Sequence, residues 1–542
     1  MHLYTDTPVE DLPSVIRQIL ETDSFFALET RDVFDQLPAE LLAHIFLIGV
    51  RDQQYEGVEP FVPFNLVVSS VCRRWRNIAL MFPLLWQRIT MRESEPYRWT
   101  QLCLERTKQC PLDIALWLES EDGEVFGADH MSQVMDILQP HVNRWRTFGL
   151  AADDFQPLHY FFSRLATCHA PILETLHLYN NCPFYMDTIL DGSHPFIVLP
   201  PDIAPRLTSL KLCRVHLKWD VFPFANLNHL ELLFHRRQAQ YTIPQLVQIL
   251  SASPTLETLV FRASGPFYSP VELGRSTDSL TLPSLRTFRI SRFSDPNQVA
   301  FLTRLIRAPN LESLTITDFD VADFSSVLFS LGQPSVGYPS VIHLRIEHIN
   351  VPDRRARKDA FIALFTALNR VAHLSLNAYE PCEDIFASLE NPPPSSASKS
   401  ASEMPALLLP LLATLQVTEV EELSRVKSFI STRQSRGFPM QKLILNCLGE
   451  LDESDIETLR SSVTAIEMFD PTDDEDDMDD DNDEDEDEDE DEDDEEDNDE
   501  DDGGLWEDDL DSSESVGLGG VNLFGNEGTD SDDELDLIGG NN

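Results

Sequence analysis

PILETLHL (Pro171–Leu178) places leucines at its third, sixth and eighth positions behind a proline, and this P-x-L-x-x-L-x-L pattern returns along the chain. Further copies are PRLTSLKL from Pro205, PTLETLVF from Pro254, PSLRTFRI from Pro283, PNLESLTI from Pro309, PSVIHLRI from Pro339 and PLLATLQV from Pro410. Looser ones are WRTFGL (Trp145), FANLNHLEL (Phe224), RVAHLSL (Arg370) and MQKLIL (Met440). Successive copies are separated by 20 to 41 residues, most of them by 26 to 30. A fixed step of this size marks one supersecondary unit repeated, with neighbours burying each other's apolar faces. The closing L-x-L alternation reads as a short strand. Helical patterns lie between the strands, at TIPQLVQILS (Thr242–Ser251), DPNQVAFLTRLIRA (Asp295–Ala308) and RKDAFIALFTALNR (Arg357–Arg370). In the second, Val299, Leu302, Leu305 and Ile306 share a face behind Asp295 as the cap. A strand and a helix per unit, about eleven times over, predict an α/β solenoid with a parallel sheet on its concave side.

Strands paired side by side place the residue between the last two template leucines on that concave face. The positions are His177, Lys211, Glu231, Val260, Arg289, Thr315, Arg345, Ser375 and Gln416. A mixed charged row of this kind suits contact with a protein partner. The step of 41 residues contains NPPPSSASKSASEMP (391–405), whose Pro/Ser content predicts a disordered insertion.

Nearer the start, LPAELLAHIFLIGV (Leu37–Val50) recurs at helical spacing through Leu37, Leu41, Ile45 and Ile48, with Leu42 and Phe46 widening the face. Pro38 suits a first helical turn. LVVSSVCRRWRNIALMF (Leu66–Phe82) reads as a second helix, its stripe running through Val68, Val71, Cys72, Trp75, Ala79 and Phe82 until Pro83 stops it. Two helices this short cannot build a self-sufficient core. Their apolar surface must be covered by the rest of the chain or by a partner.

Charge divides the molecule differently. The 542 residues carry 40 Lys+Arg and 94 Asp+Glu, a net charge of −54. From Asp470 onward there are 39 acids and no Lys or Arg, which leaves 55 acids against 40 bases before that point. Within Asp473–Asp502, 27 of 30 positions are acidic. Such charges, ~3.4 Å apart at most, lie inside the ~8 Å Debye length and repel one another, so the segment is predicted to be a disordered tail. It serves either as a solubilising appendage or to engage basic partners such as histones. A third reading has it mask the basic cluster Arg354, Arg355, Arg357 and Lys358, itself a weak nuclear-import candidate. Direct nucleic-acid binding is disfavoured, since phosphates meet this charge with no basic stripe to offset it.

The longest apolar run, ALLLPLLATLQV (Ala406–Val417), is too short to span a bilayer, and no export signal opens the sequence. Eight scattered cysteines without a CxxC pair fit reduced thiols in the cytoplasm or nucleus. No GxxxxGK[ST], GxGxxG after a strand, HExxH or GxSxG occurs, so the expectation is a binding protein with no catalytic residue, metal site or cofactor.

LPAELLAHIF followed by LVVSSVCRRWRNIALMFPLLW resembles the F-box, the helical module that binds the Skp-type adaptor of cullin–RING ubiquitin ligases. The match spans about Val33–Ile89 and includes Leu37, Pro38 and Glu40, the Ile45–Phe46 pair, the run Val71–Arg76, and Pro83, Leu85 and Trp86. The stretch Arg51–Asn65 between the helices resembles the insertion of fungal members. The resemblance implies that Leu37, Pro38, Leu41, Ile45 and Phe46 face the adaptor. Val71, Cys72 and Trp75 would be shared between that surface and the core of the module. The repeats resemble the leucine-rich-repeat arrays of F-box proteins, with an imperfect asparagine ladder: Asn181 fits it, while Val215, His235, Ser264, Phe293, Phe319, Ile349 and Tyr379 stand in its place elsewhere.

The expected organisation is a lead segment 1–32, an F-box 33–90, a helical linker 91–110, an irregular leucine-rich-repeat-like α/β solenoid 111–469 and a disordered acidic tail 470–542. The implied function is substrate recognition for an SCF-type ubiquitin ligase. The adaptor, and through it the cullin, would bind at one end, and a protein substrate at Lys211, Glu231, Arg289 and Arg345. The alternative is a scaffold or histone-type acidic chaperone acting through the tail.

Overall fold

A computed structural model of the chain describes residues 37–468, apart from 53–62, 92–95, 119–127, 182–197, 269–278, 391–406 and shorter breaks. The expected lead segment 1–32, insertion 391–405 and tail 470–542 lie outside the described residues.

The first described elements are three helices, α1 (Ala39–Asp52), α2 (Phe64–Val71) and α3 (Arg73–Met81), and a 3-10 turn at Pro83–Trp86. The single helix expected over Leu66–Phe82 is two. Cys72 adopts an extended conformation (φ −156°, ψ 170°), and its sulfur accepts the Trp75 amide at 3.4 Å, as an N-cap does. The chain changes direction at that point, so the proposed stripe is split between two axes.

The strands β1 (Arg88–Met91), β2 (Leu112–Leu118), β3 (Trp145–Ala152), β4 (Thr175–Asn180), β5 (Ser209–Cys213), β6 (His229–Leu233) and β7 (Thr258–Arg262) follow. After a minor strand β8 (Leu280–Thr281) come β9 (Thr287–Ser291), a second minor strand β10 (Ile306–Arg307) and β11 (Ser313–Phe319). The series ends with β12 (His343–Ile349), β13 (His373–Asn377), β14 (Thr414–Val420), β15 (Lys442–Cys447) and β16 (Ala465–Met468). Fourteen of them form one sheet in sequence order, with β8 and β10 paired to each other outside it. Every pairing is parallel.

The template leucines explain this register. Leu176, Leu210, Leu230, Leu259, Phe288 and Leu314 pair across successive strands, and all are buried. Each such side chain removed from water contributes roughly 1.5–3 kcal/mol. The core continues into the helices on that side, among them α4 (Arg98–Thr107), α5 (Ala128–Leu138), α6 (Phe155–Leu165), α7 (Ile243–Ser251), α8 (Pro296–Leu305), α9 (Ser325–Leu331) and α10 (Arg354–Ala367).

Local chemistry sets the helix ends. Asp295 Oδ1 accepts the Asn297 amide at 2.8 Å, and Ile306–Arg307 leave α8 early to pair with β8, so the helix ends before Ala308. The helix expected from Arg357 begins at Arg354 because Asp353 caps the Arg355 amide at 2.9 Å. Thr242 and Gln245 form a capping box at the start of α7.

Three strands of the fourteen-stranded sheet escaped the repeat template: β1, β2 and β16. The sheet therefore starts at Arg88 rather than near Pro111, and the expected linker contributes α4, which packs on the Pro83–Trp86 turn. Trp86 is fully buried, donates Nε1–H to the Ala79 carbonyl at 2.9 Å and lies 5.8 Å from Trp99 of α4, with the Arg106 guanidinium 4.1 Å over its ring. The helical module and the first repeats share one apolar core.

The ladder is a mixture. Its asparagine is Asn180, fully buried, with Nδ2 donating to the Arg214 carbonyl at 3.3 Å; Asn181 is only half-buried. At the next positions His235 bridges Val215 and Ser264, through Nε2 to the Val215 carbonyl (3.1 Å) and Nδ1 to Ser264 Oγ (3.0 Å). Aromatic contacts follow, Phe293 to Phe319 and Phe319 to Phe324, the latter stacked at 4.4 Å. Tyr379 lies outside the described residues.

A left-handed residue follows the strand at four consecutive units: Arg214, Phe234, Ala263 and Arg292, with φ between 45° and 55°. The amides of the first three donate to Leu233, Arg262 and Ser291 carbonyls on the neighbouring strand, which holds this conformation in place. None is glycine, so each stores roughly 1 kcal/mol of strain. Ala263→Gly is expected to raise unfolding stability by about 0.5–1 kcal/mol, readable as a shift in the denaturation midpoint. A destabilised variant would show that the side chain packs better than the strain costs.

Candidate functional site

Among the described residues fourteen large apolar side chains stay exposed, and eight of them sit on α1–α3. Such a concentration makes these helices the candidate docking surface, whereas scattered exposed leucines are ordinary. On α1 the stripe is Leu41 (51% exposed), Ile45 (44%) and Ile48 (53%). Leu66, Val67 and Val71 on α2 and Leu80 and Met81 on α3 complete the eight.

Helical spacing explains both faces of α1. Leu42 and Phe46, one residue on from Leu41 and Ile45, are rotated by about 100° and turn inward, where both are buried. Phe46 meets Trp75 at 4.9 Å between ring centroids. It therefore departs from the expected adaptor-facing set: at 1% exposure it is a core residue of the module. Leu37 and Trp75 are half-buried against the core, while Pro38, Val71 and Cys72 are exposed. The Leu37 carbonyl is held by the Arg74 guanidinium, Asn65 Nδ2 donates to the Leu85 carbonyl at 3.2 Å, and Ser69 Oγ donates to Asn65 at 2.6 Å. The first ties α3 to the start of α1 and the second ties α2 to the Pro83–Trp86 turn, while the third lies within α2. Sequence reasoning missed Ile48, Leu66, Val67, Leu80 and Met81 as surface residues; the signal for Ile48 was the same i, i+4, i+7 recurrence that gave Leu41 and Ile45.

The second feature is the open face of the sheet. The expected row is continuous: His177, Lys211, Glu231, Val260, Arg289, Thr315, Arg345, Ser375 and Gln416 are register partners in that order. Its charged members differ in their surroundings. Lys211 Nζ lies 3.1 Å from Glu231 and 5.4 Å over the Tyr179 ring, and His229 Nε2 approaches Glu231 at 2.6 Å. Burial would raise the Glu231 carboxyl, but the His229 hydrogen bond and Lys211 outweigh it and hold it down at about 2. Burial and then the Lys211 charge press the His177 imidazole down to about 4. Burial would lower the Lys211 ammonium, yet Tyr179 and Glu231 keep it above its ordinary value. Lys211 and Glu231 therefore satisfy each other. Arg345 Nε donates to Glu347 at 2.7 Å, Ser375 Oγ donates to the other Glu347 oxygen at 2.6 Å, and Arg289 is exposed.

Among the described residues no group of three or more His, Cys, Asp or Glu is placed to hold a metal ion, and no helix is long and apolar enough to cross a membrane.

Comparison with known proteins is consistent with the first site. Residues 34–92 match the family model described as F-box-like, a span that runs from α1 into β1. No curated protein matches the chain. Among solved structures it is similar to the leucine-rich repeat-containing protein LegL7 from Legionella pneumophila, at 13% identity over 57% of this chain and 87% of that one, with a TM-score of 0.31. It is also similar to a chain of the Rad7 and Elc1 complex in yeast, at 15% identity over 83% and 96%, with a TM-score of 0.37. This chain carries an F-box-like domain at residues 34–92, continuous with a leucine-spaced solenoid of parallel strands.

Proposed function

We propose that the protein is the substrate-recognition subunit of an SCF-type cullin–RING ubiquitin ligase. The observation that carries the reading is the cluster of eight exposed apolar side chains on α1–α3, inside the F-box-like match. The patch would dock a Skp-type adaptor and, through it, the cullin, while the open face of the sheet would hold a protein substrate. In this reading the chain's role is to raise the effective concentration of substrate near a conjugating enzyme. That chemistry takes place elsewhere, in the cytoplasm or nucleus.

Calorimetry of the full chain with a Skp-type adaptor tests this. Ile45→Asp places a charge in the centre of the apolar stripe and leaves the core of the module untouched. It is expected to weaken adaptor binding by about 30-fold or more, equivalent to ~2 kcal/mol, with an unchanged thermal melt. Equal affinity of wild type and variant would remove the basis for the proposal and favour action through the acidic segment beyond Asp470.

A further inference from the structure

The two ends of the sheet differ in what covers them. On the first strand the side chains that face the core, Ile89 and Met91 of β1, are 1% and 2% exposed. On the last strand, β16, the corresponding positions are Ile466 and Met468, in register with the buried Leu443 and Leu445. Ile466 is only half-buried, and Met468 is 55% exposed. Val463, Ile466 and Met468 keep the L-x-x-L-x-L spacing of the other units, yet no strand follows this one among the described residues. Solenoid arrays need a terminal unit with a polar outer face, and this one ends on core positions.

The backbone is open at the same place. Among the described residues β16 pairs with β15 alone. The Ala465 amide donates to the Gln441 carbonyl at 3.0 Å, towards β15. In a parallel ladder alternate residues turn their N–H and C=O to opposite neighbours, so those of Ile466 and Met468 point to the free edge. An extended chain laid there would pair with them and cover both side chains with alternate residues of its own. Glu467, between them, faces the other side of the sheet, with one carboxylate oxygen 2.6 Å from Lys442 Nζ and the side chain 58% exposed. A basic residue opposite Glu467 would share that carboxylate.

Charge decides which chain can approach. Asp470, two residues beyond Met468, opens a stretch to Asp480 in which eight of eleven residues are acidic and none is Lys or Arg. A second copy would bring two such stretches to one seam, where they repel. A cationic segment would be attracted.

We infer that the free edge of β16 is a docking site for an extended segment of a partner protein in which apolar residues alternate with Lys or Arg, added as one further strand. The site is separate from the apolar patch on α1–α3 and from the outward row of the sheet, and it does not rest on the ligase reading.

Fluorescence anisotropy on the full chain tests it, with a labelled nine-residue peptide alternating valine and lysine, which is expected to bind. The same peptide with every amide N-methylated keeps its charge but donates no backbone hydrogen bond, and is expected to bind at least about tenfold more weakly. A valine–glutamate peptide is expected not to bind. Met468→Ser, at an exposed position, should weaken the valine–lysine peptide by about three- to tenfold with an unchanged melt. Equal binding of the N-methylated peptide would reduce the interaction to attraction by the acidic stretch and overturn the inference. Binding of the valine–glutamate peptide, or equal affinity of wild type and Met468→Ser, does the same. So does a dimer of the free chain in sedimentation that Met468→Ser returns to monomer, which would assign the edge to a second copy. Binding that appears only once the residues after Asp480 are removed would assign it to the chain itself, again overturning the inference. No adaptor takes part, so the Ile45→Asp experiment stands or falls separately.

Discussion

Trp86→Ala is expected to destabilise the N-terminal module by about 3–5 kcal/mol and to remove adaptor binding together with the thermal transition. The residue is fully buried where α3, the Pro83–Trp86 turn and α4 meet, under the Arg106 guanidinium and beside Trp99. Truncation leaves a cavity that three short helices have no spare side chains to fill. It also removes one of the two donors to the Ala79 carbonyl, which accepts the indole N–H at 2.9 Å and the Phe82 amide at 3.3 Å. Net stabilities of folded domains run to only about 5–15 kcal/mol, so a loss of this size is decisive. Trp86→Phe separates the two contributions: it retains most of the volume and should cost about 0.5–1.5 kcal/mol for the lost indole hydrogen bond. Unfolding followed by calorimetry and denaturant gives both values. A melt of Trp86→Ala indistinguishable from wild type would mean that the module and the repeats do not share a core.

Acid should unfold the solenoid in two windows. His235 is buried, and burial pushes its imidazole down to about 4, outweighing its backbone bond to Val215. Its folded value lies below its unfolded value of 6.5, so below pH 6.5 the unfolded chain takes up a proton that the folded chain refuses. Stability is therefore lost progressively from pH 6.5 to about 4, by roughly 3 kcal/mol in all. His177, pressed down to about 4, acts in the same direction. Glu231 contributes the reverse case: held down at about 2, it stabilises above its ordinary 4.5 and loses that contribution as the pH falls from 4.5 towards 2. Urea unfolding at several pH values between 7.5 and 4.5 reads the upper window. In His235→Asn the amide can still bridge Val215 and Ser264, yet it does not titrate. The variant should lose less stability towards acid than wild type, and a constant difference across that range would exclude His235 as the titrating group.

Leucine spacing made most of the array legible. The register of nine strands and their shared row of outward residues followed from the template, because a period of two fixes which side chain faces the core. RITM and AIEM escaped because they carry strand alternation without the proline and leucines that mark the other units, and LDIALWL, which follows Pro111 and keeps Leu116 and Leu118, escaped because Asp113 stands where the first template leucine belongs. The break at Cys72 had no sequence signal, since cysteine is not an expected cap and its role depends on the Trp75 amide folding back to it. Phe46 was misplaced for a related reason: two apolar stripes run along α1, and only packing against Trp75 decides which one is covered. The ladder asparagine was displaced by one residue because Asn180 and Asn181 are adjacent and only the backbone shows which is inside. At Arg345 and Glu347, by contrast, the i, i+2 relation on one strand was readable in principle and is what pairs them.

β1 is the terminal strand of a fourteen-stranded sheet, and it belongs to the F-box-like match. An array of this kind cannot leave its first unit bare, because a terminal strand offers unpaired backbone donors and acceptors to any neighbouring chain. The module is thus also the lid on the solenoid's N-terminal end, a function independent of any adaptor. Removing it wholesale would uncover β2, Leu112–Leu118, a run with alternate residues buried, and invite self-association. A truncated protein that fails to act would then report insolubility as readily as lost docking. Single surface substitutions on α1 are the changes that separate the two roles.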